Sequence, residues 1–106
     1  MDIQQISNQL IELVERLNAA QKHLFKAAKT KAETERIYRM ELAKEIIRLK
    51  AEGKPAALIG DIARGSCADE KFERDFAEVN FKSTIETIEI LKVQISALQS
   101  IYRNYD

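Results

Sequence analysis

Ile3, Ile6, Leu10, Leu13, Leu17, Ala20, Leu24 and Ala27 recur in alternating steps of three and four. That spacing predicts one face of a long helix with a coiled-coil seam. Lys31 and Thr34 fall next in the register, so the apolar seam lapses there. It resumes, shifted, through Tyr38, Leu42, Ile46 and Leu49, with Ile37, Ala43 and Ile47 widening it. The polar stretch Lys29–Arg36 lies between the two seams. No glycine or proline interrupts it, so the helix is expected to continue with a local phase change rather than to divide at a kink. A first helix over about residues 2–52 follows, with Asp2 placed to cap its start.

The second half of the chain keeps the same seven-residue rhythm. Ala77, Phe81, Ile88, Leu91, Ile95, Leu98, Tyr102 and Tyr105 occupy it, with Thr84 filling one slot. Ile85, Val93 and Ile101 broaden the stripe beyond a two-stranded seam, which points to packing against more than one neighbour. The expected helix runs over about residues 66–104. Ser66 followed by Asp69 resembles a capping box, and Asp69 and Glu70 suit the positive end of the helix macrodipole.

Between the two helices lies Glu52–Gly65, which holds the only proline and all three glycines. Gly53 is placed to end the first helix in the left-handed conformation. Pro55 suits the first position of a short helix that carries Leu58, Ile59 and Ile62 on one side. Gly60 weakens that helix by about 1 kcal/mol relative to alanine, which suggests a close contact there. Gly65 is placed to end it. The expected fold is all-α: a single domain built as an antiparallel hairpin of two long helices with a short connecting helix over about residues 53–65. The breadth of both stripes makes a homo-oligomer, a helical bundle, the expected assembly.

Composition narrows the function more by exclusion than by assignment. The 106 residues carry 17 Lys and Arg against 17 Asp and Glu, a formal net charge of zero. A dedicated polyanion binder carries a basic excess, so nucleic acid is not an expected partner. No apolar run approaches the roughly 20 residues of a membrane span and no signal-peptide core follows Met1, so a cytoplasmic protein is expected. One cysteine and one histidine cannot form an internal disulfide or a His/Cys zinc site.

A helix-turn-helix reading of Leu42–Phe81 would send the helix after Ser66 into the major groove. Its opening residues Asp69, Glu70, Glu73 and Asp75 would repel phosphate, against only Lys71 and Arg74. Arg39, Lys54, Arg64, Lys71, Arg74 and Lys82 cluster in or beside the corner and read first as a salt-bridged, solvated rim. The functional alternative is an anion site. There Arg64 and Arg74 grip a phosphate with help from Arg39, and the helix start at Ser66 offers backbone N–H groups. Tyr38 would stack on a base, while Asp75 and Glu78 would hold the arginines or accept ribose hydroxyls. Asp61, Asp75 and Glu78 lack the fixed ligand spacing of a divalent-cation loop. Cys67 stands near a helix start but beside no visible base, and His23 beside Leu24 reads as an exposed or partly packed ring.

Tyr38-Arg39, Leu42-Ala43, Glu52-Gly53 with Pro55-Ala56, Asp61 with Ala63-Arg64-Gly65, Phe72 with Arg74-Asp75, Ala77-Glu78 and Leu98-Gln99-Ser100 together resemble a family of small helical proteins. That family is encoded by phages and prophages of Gram-positive bacteria. The likeness covers most of the chain and is strongest from about Thr34 to Tyr102. It implies a viral, intracellular, non-enzymatic accessory protein and brings no established family activity with it; no cofactor is expected. Some other small helical phage proteins soak up nucleotide signals made by host defence, an analogy of size, helicity and origin.

The leading expectation is therefore a binding protein that sequesters a phosphate-bearing nucleotide signal of host antiviral defence, through Tyr38, Arg39, Arg64, Arg74, Asp75 and Glu78. The alternative is a helical interaction module that binds and modulates a host or phage replication, recombination or defence protein. No nucleophile–base pair or metal set is readable, so catalysis is not expected.

Overall fold

The computed structural model describes residues 1–105 as three helices, α1 (Ile3–Ala51), α2 (Ala56–Ser66) and α3 (Ala68–Arg103), with no strand among the described residues. At the start of α1 the Gln5 N–H donates to Asp2 Oδ1 at 2.8 Å, and the Asp2 N–H donates to Gln5 Oε1 at 2.8 Å. These reciprocal bonds form a capping box, so the expected Asp2 cap is present. α1 then runs unbroken through Lys29–Arg36.

Its far end also follows local sequence logic. Gly53 has φ of 76°, its N–H reaches Lys50 O at 3.1 Å, and the Lys54 N–H reaches Leu49 O at 3.1 Å. This is a Schellman close, in which a left-handed residue lets two otherwise orphaned carbonyls find donors.

The corner departs from expectation at three places. Pro55 is the residue before α2 rather than its first member. Gly65 lies inside α2, which continues through Ser66, so neither the expected stop nor the expected Ser66 cap is found. A single residue, Cys67, separates α2 from α3. Its N–H bonds Ala63 O at 3.1 Å, and its own carbonyl accepts from the Lys71 N–H at 3.0 Å. The last turn of one helix thus hands over directly to the first turn of the next, which removes the need for a side-chain cap. Third, Ile59 and Ala63 form the buried side of α2, whereas Leu58 and Ile62 are exposed.

The chain groups into two compact units. One joins Met1–Ala27 to the chain from Phe81 on, and the other is Ala28–Asn80. In the first, Ile6, Ala27, Ile88, Leu91 and Thr84 are buried, and Leu10, Leu13, Leu17, Leu24, Ile95 and Leu98 are partly buried. The heptad seams of both helices therefore form its core. In the second unit, Leu49, Ile59 and Ala63 make a core with Leu42 and Ile46 packed against it.

Within Ala28–Asn80 the α1 and α3 segments run in opposite directions. Glu35 and Tyr38 meet Arg74, and Glu41 and Glu45 line a recess with Cys67 and Glu70. Here α1 is covered on two sides, by α2 and by the start of α3. That is why Glu41 and Leu42, and again Glu45 and Ile46, are both partly buried. The phase shift read from the sequence falls after Tyr38 and answers this second neighbour. It does not fall at Lys31 and Thr34. Those two residues are themselves partly buried at seam positions. Thr34 makes this tolerable by donating its hydroxyl to Thr30 O at 2.9 Å and Lys31 O at 3.1 Å, so the polar atom is satisfied within its own helix.

Candidate functional site

From Cys67, just before α3, the inward positions step on through Glu70, Arg74, Ala77, Phe81, Thr84, Ile88, Leu91, Ile95 and Leu98, all buried or partly buried. Arg74 is thus an arginine at a seam position, with its side chain only 28% exposed. Its Cζ lies 4.4 Å from the centroid of the Tyr38 ring. Its Nε lies 3.6 Å from Glu35 Oε2, and Nε and Nη2 donate to Asp75 Oδ1 at 3.1 and 3.0 Å. Lys31, Glu35, Arg74 and Glu78 line an open cleft of about 380 Å³ beside this contact.

The electrostatics are those of a closed ion-pair network. The hydrogen bond from Arg39 Nε, at 2.6 Å, holds the Glu35 carboxyl below the usual range, with Arg74 and Lys31 adding to it. Lys71, which donates to Asp75 Oδ2 at 3.0 Å, and then Arg74 lower the Asp75 carboxyl. The Asp75 carboxylate in turn raises the Arg74 guanidinium. Each cation sits beside an anion that it stabilises.

The structure brings together four of the six residues expected at a nucleotide site, with changed roles. Tyr38 is 5% exposed and one ring face carries the Arg74 guanidinium, so it presents no platform to a base. Arg74 is engaged by two carboxylates and a ring. Asp75 is bound by Lys71 and Arg74, and Glu78 lines the cleft. Arg39 points into solvent with Glu35 as its partner. Arg64 is not among the cleft residues; it pairs with Asp61 one turn back on α2. Its Nη1 comes within 3.4 Å of where a Gly60 Cβ would stand, so the contact suspected at Gly60 is with a flexible side chain of its own helix.

Ser66 closes α2, so the backbone N–H groups expected there as an anion cradle are not presented as a free helix start. Asp61, Asp75 and Glu78 likewise do not converge: Asp61 pairs with Arg64 while Asp75 pairs with Lys71 and Arg74. Among the described residues no group of three or more His, Cys, Asp or Glu side chains is placed to hold a metal ion, and no buried side-chain nitrogen or oxygen lacks a hydrogen-bond partner. Cys67 is buried, and desolvation, with Glu70, Glu45 and Glu41 nearby, pushes its thiol up and away from the reactive thiolate.

Sequence reasoning passed over a second apolar stripe. Phe72, Phe76 and Val79 are 63, 61 and 60% exposed, and the two rings stack at 6.1 Å between centroids with 21° between planes. Each residue sits two positions beyond an inward one (Glu70, Arg74, Ala77). At about 100° per residue this puts them on the far side of α3. The signal was present as the four-then-three spacing of 72, 76 and 79, read one face away from the seam. Ile47 and Leu58 of the same unit are also exposed. Among the described residues no helix is long and apolar enough to cross a membrane. No known protein family, curated protein or solved structure matches the chain.

Proposed function

We propose that the chain is a non-enzymatic helical interaction protein, a hairpin closed at the α2 corner, that binds and modulates a host or phage replication, recombination or defence protein. The observation that carries this reading is the set of large apolar side chains left in water on the Ala28–Asn80 unit, above all Phe72 and Phe76. Contiguous exposed apolar side chains mark docking surfaces on soluble proteins, and aromatic residues are enriched where interface energy concentrates.

Sequestration of a phosphate-bearing nucleotide draws on Arg64, Arg74, Arg39 and Tyr38. The geometry supports it less. Each of these arginines already has a carboxylate, and the tyrosine ring is covered. An incoming phosphate would have to compete with those carboxylates for the guanidinium hydrogen bonds.

Photo-crosslinking residues placed at Leu58 and at Phe76, in the bacterium that supports the resembled phages, test the proposal. An adduct with a different protein at either site is the expected result. Adducts only with other copies, or none, together with calorimetric binding of a nucleotide that Arg74→Ala abolishes, would replace this reading with sequestration.

A further inference from the structure

We infer that the outer side of α3 in the Ala28–Asn80 unit takes an arginine-bearing segment of a partner protein, with the guanidinium laid over Phe72 or Phe76 and paired with Asp69 and Glu73. This rests on the reading of the chain as an interaction protein and names the chemistry of its partner.

Asp69, Phe72, Glu73 and Phe76 stand at i, i+3, i+4 and i+7 of α3, positions that are neighbours on a helix surface. All four are exposed, and the two rings stack with centroids 6.1 Å apart. The cations close by are occupied. Lys71 is turned to Asp75, and Arg74 to Asp75 and Glu35. Among the described residues, Asp69 and Glu73 make no ion pair. The helix macrodipole accounts for Asp69, which lies in the first turn with Glu70. It fades beyond that turn, so it gives no reason for Glu73 or for two phenyl rings left in water beside the carboxylates.

The inner side of the same helix shows what such a set of groups holds. There the Arg74 guanidinium lies over the Tyr38 ring with Glu35 and Asp75 at its edge. The outer side repeats the aromatic faces and the two carboxylates, and leaves the cation for a partner to supply. A ring face attracts a cation through its quadrupole, and the carboxylates add charge-assisted hydrogen bonds. Arginine meets both at once because its planar head stacks and donates from its edge.

Charge also decides among occupants. Asp69, Glu73 and Asp75 against Lys71 leave the patch with a net charge of −2. The phosphates of a nucleic acid or an anionic lipid would be repelled. A second copy presenting the same patch would set carboxylate against carboxylate. The patch lies on an outer helix face rather than in a cleft, so a free small cation would keep most of its water there. A protein segment that also lays apolar side chains on the rings is the occupant that gains.

Selection of a random peptide library on the purified full chain supplies the probe. Enriched peptides are expected to carry arginine beside an aliphatic or aromatic residue. Binding of one such labelled peptide, followed by fluorescence anisotropy, is expected to weaken about ten-fold or more in Asp69→Asn, Glu73→Gln, which loses charge-assisted hydrogen bonds. The variant Phe72→Ser, Phe76→Ser is expected to weaken it as far, and lysine in place of the peptide's arginine to weaken it several-fold. No enriched peptide, peptides without arginine, or binding that ignores Asp69→Asn, Glu73→Gln overturns the inference. Should that variant lose helicity, the wild-type chain decides. Citrulline in place of the peptide's arginine keeps the shape and removes the charge, so binding is expected to be lost, and unchanged binding overturns the inference. A foreign protein crosslinked at Phe76 in the cell through a segment without arginine would sink the inference and leave the interaction reading standing. Arginine-dependent peptide binding with no foreign adduct in the cell would do the reverse.

Discussion

Arg74 Cζ lies 4.4 Å from the centre of the Tyr38 ring, joining a seam position of α3 to a seam position of α1. The contact converts two residues that suggest a ligand site into an internal fastening. The ring is buried beneath the cation, and the remaining guanidinium edge is turned to Glu35 and Asp75. Arg74 is one of several ionic groups at seam positions, with Glu70 and Lys31, and its ring and carboxylate partners are met in one alignment of the two helices.

A double-mutant cycle measures that fastening. Arg74→Met and Tyr38→Leu, singly and together, are expected to show a coupling of about 0.5–1 kcal/mol in urea unfolding. Tyr38→Phe, which keeps the ring face, is expected to retain most of it. Additive single effects would mean that the two side chains are neighbours without interaction.

Acid should loosen the same network. Glu35 and Asp75 are both held below their ordinary range, by Arg39 and by Lys71 and Arg74. A carboxyl whose folded value is depressed binds its proton less readily than in the unfolded chain. It therefore stabilises the fold above the unfolded value, near pH 4, and loses that contribution as pH falls through the folded value. The melting temperature is expected to be level above about pH 5 and to drop below about pH 4. The variant Glu35→Gln, Asp75→Asn should show a shallower drop, and added salt should flatten both profiles. An unchanged slope in the variant would show that other carboxylates govern acid unfolding.

The glycines of the corner should respond in opposite senses. Gly53 holds φ of 76°, so Gly53→Ala is expected to destabilise by about 1 kcal/mol although nothing lies within 4 Å of the added methyl. Gly65 sits inside α2 with open space around it, so Gly65→Ala is expected to stabilise by about 0.5–1 kcal/mol. Thermal unfolding of the two single variants checks both signs. A destabilised Gly65→Ala would mean that the handover from α2 to α3 needs the backbone freedom of glycine.

What could be read in advance was whatever depends on near neighbours in sequence. The Asp2 cap, the unbroken first helix, the left-handed close at Gly53 and most of the inward seams follow from spacing and local chemistry. But Ile3, Tyr102 and Tyr105, read on the seams, are exposed, as are Ile37, Ile47, Ile85, Val93 and Ile101, read as widening them. The Gly65-Ser66 reading failed because a glycine in a helix interior and one after its end look alike in sequence. The hydrogen bond from the Cys67 N–H to Ala63 O and the positive φ found at Gly53 but not at Gly65 distinguish them. Of the six residues read as one group, Tyr38, Arg74, Asp75 and Glu78 do come together, while Arg39 and Arg64 pair elsewhere with Glu35 and Asp61. Arg74 shares its register with Ala77 and Phe81, and following that seam one step back would have placed it inward. That Glu35, on the other helix, would be one of its anions depends on pairing between distant segments, which spacing along one helix does not carry.

Lys31 and Thr34, partly buried in step with Leu24, Ala27 and Tyr38, mean that α1 counts continuously by sevens from Ile6 to Tyr38. Losing a single residue anywhere in that span would turn all that follows by about 100°, exchanging the sheltered side of the rod for its wet side. Insertions and deletions in this helix are therefore expected in steps that restore its phase, such as seven, eleven or eighteen residues.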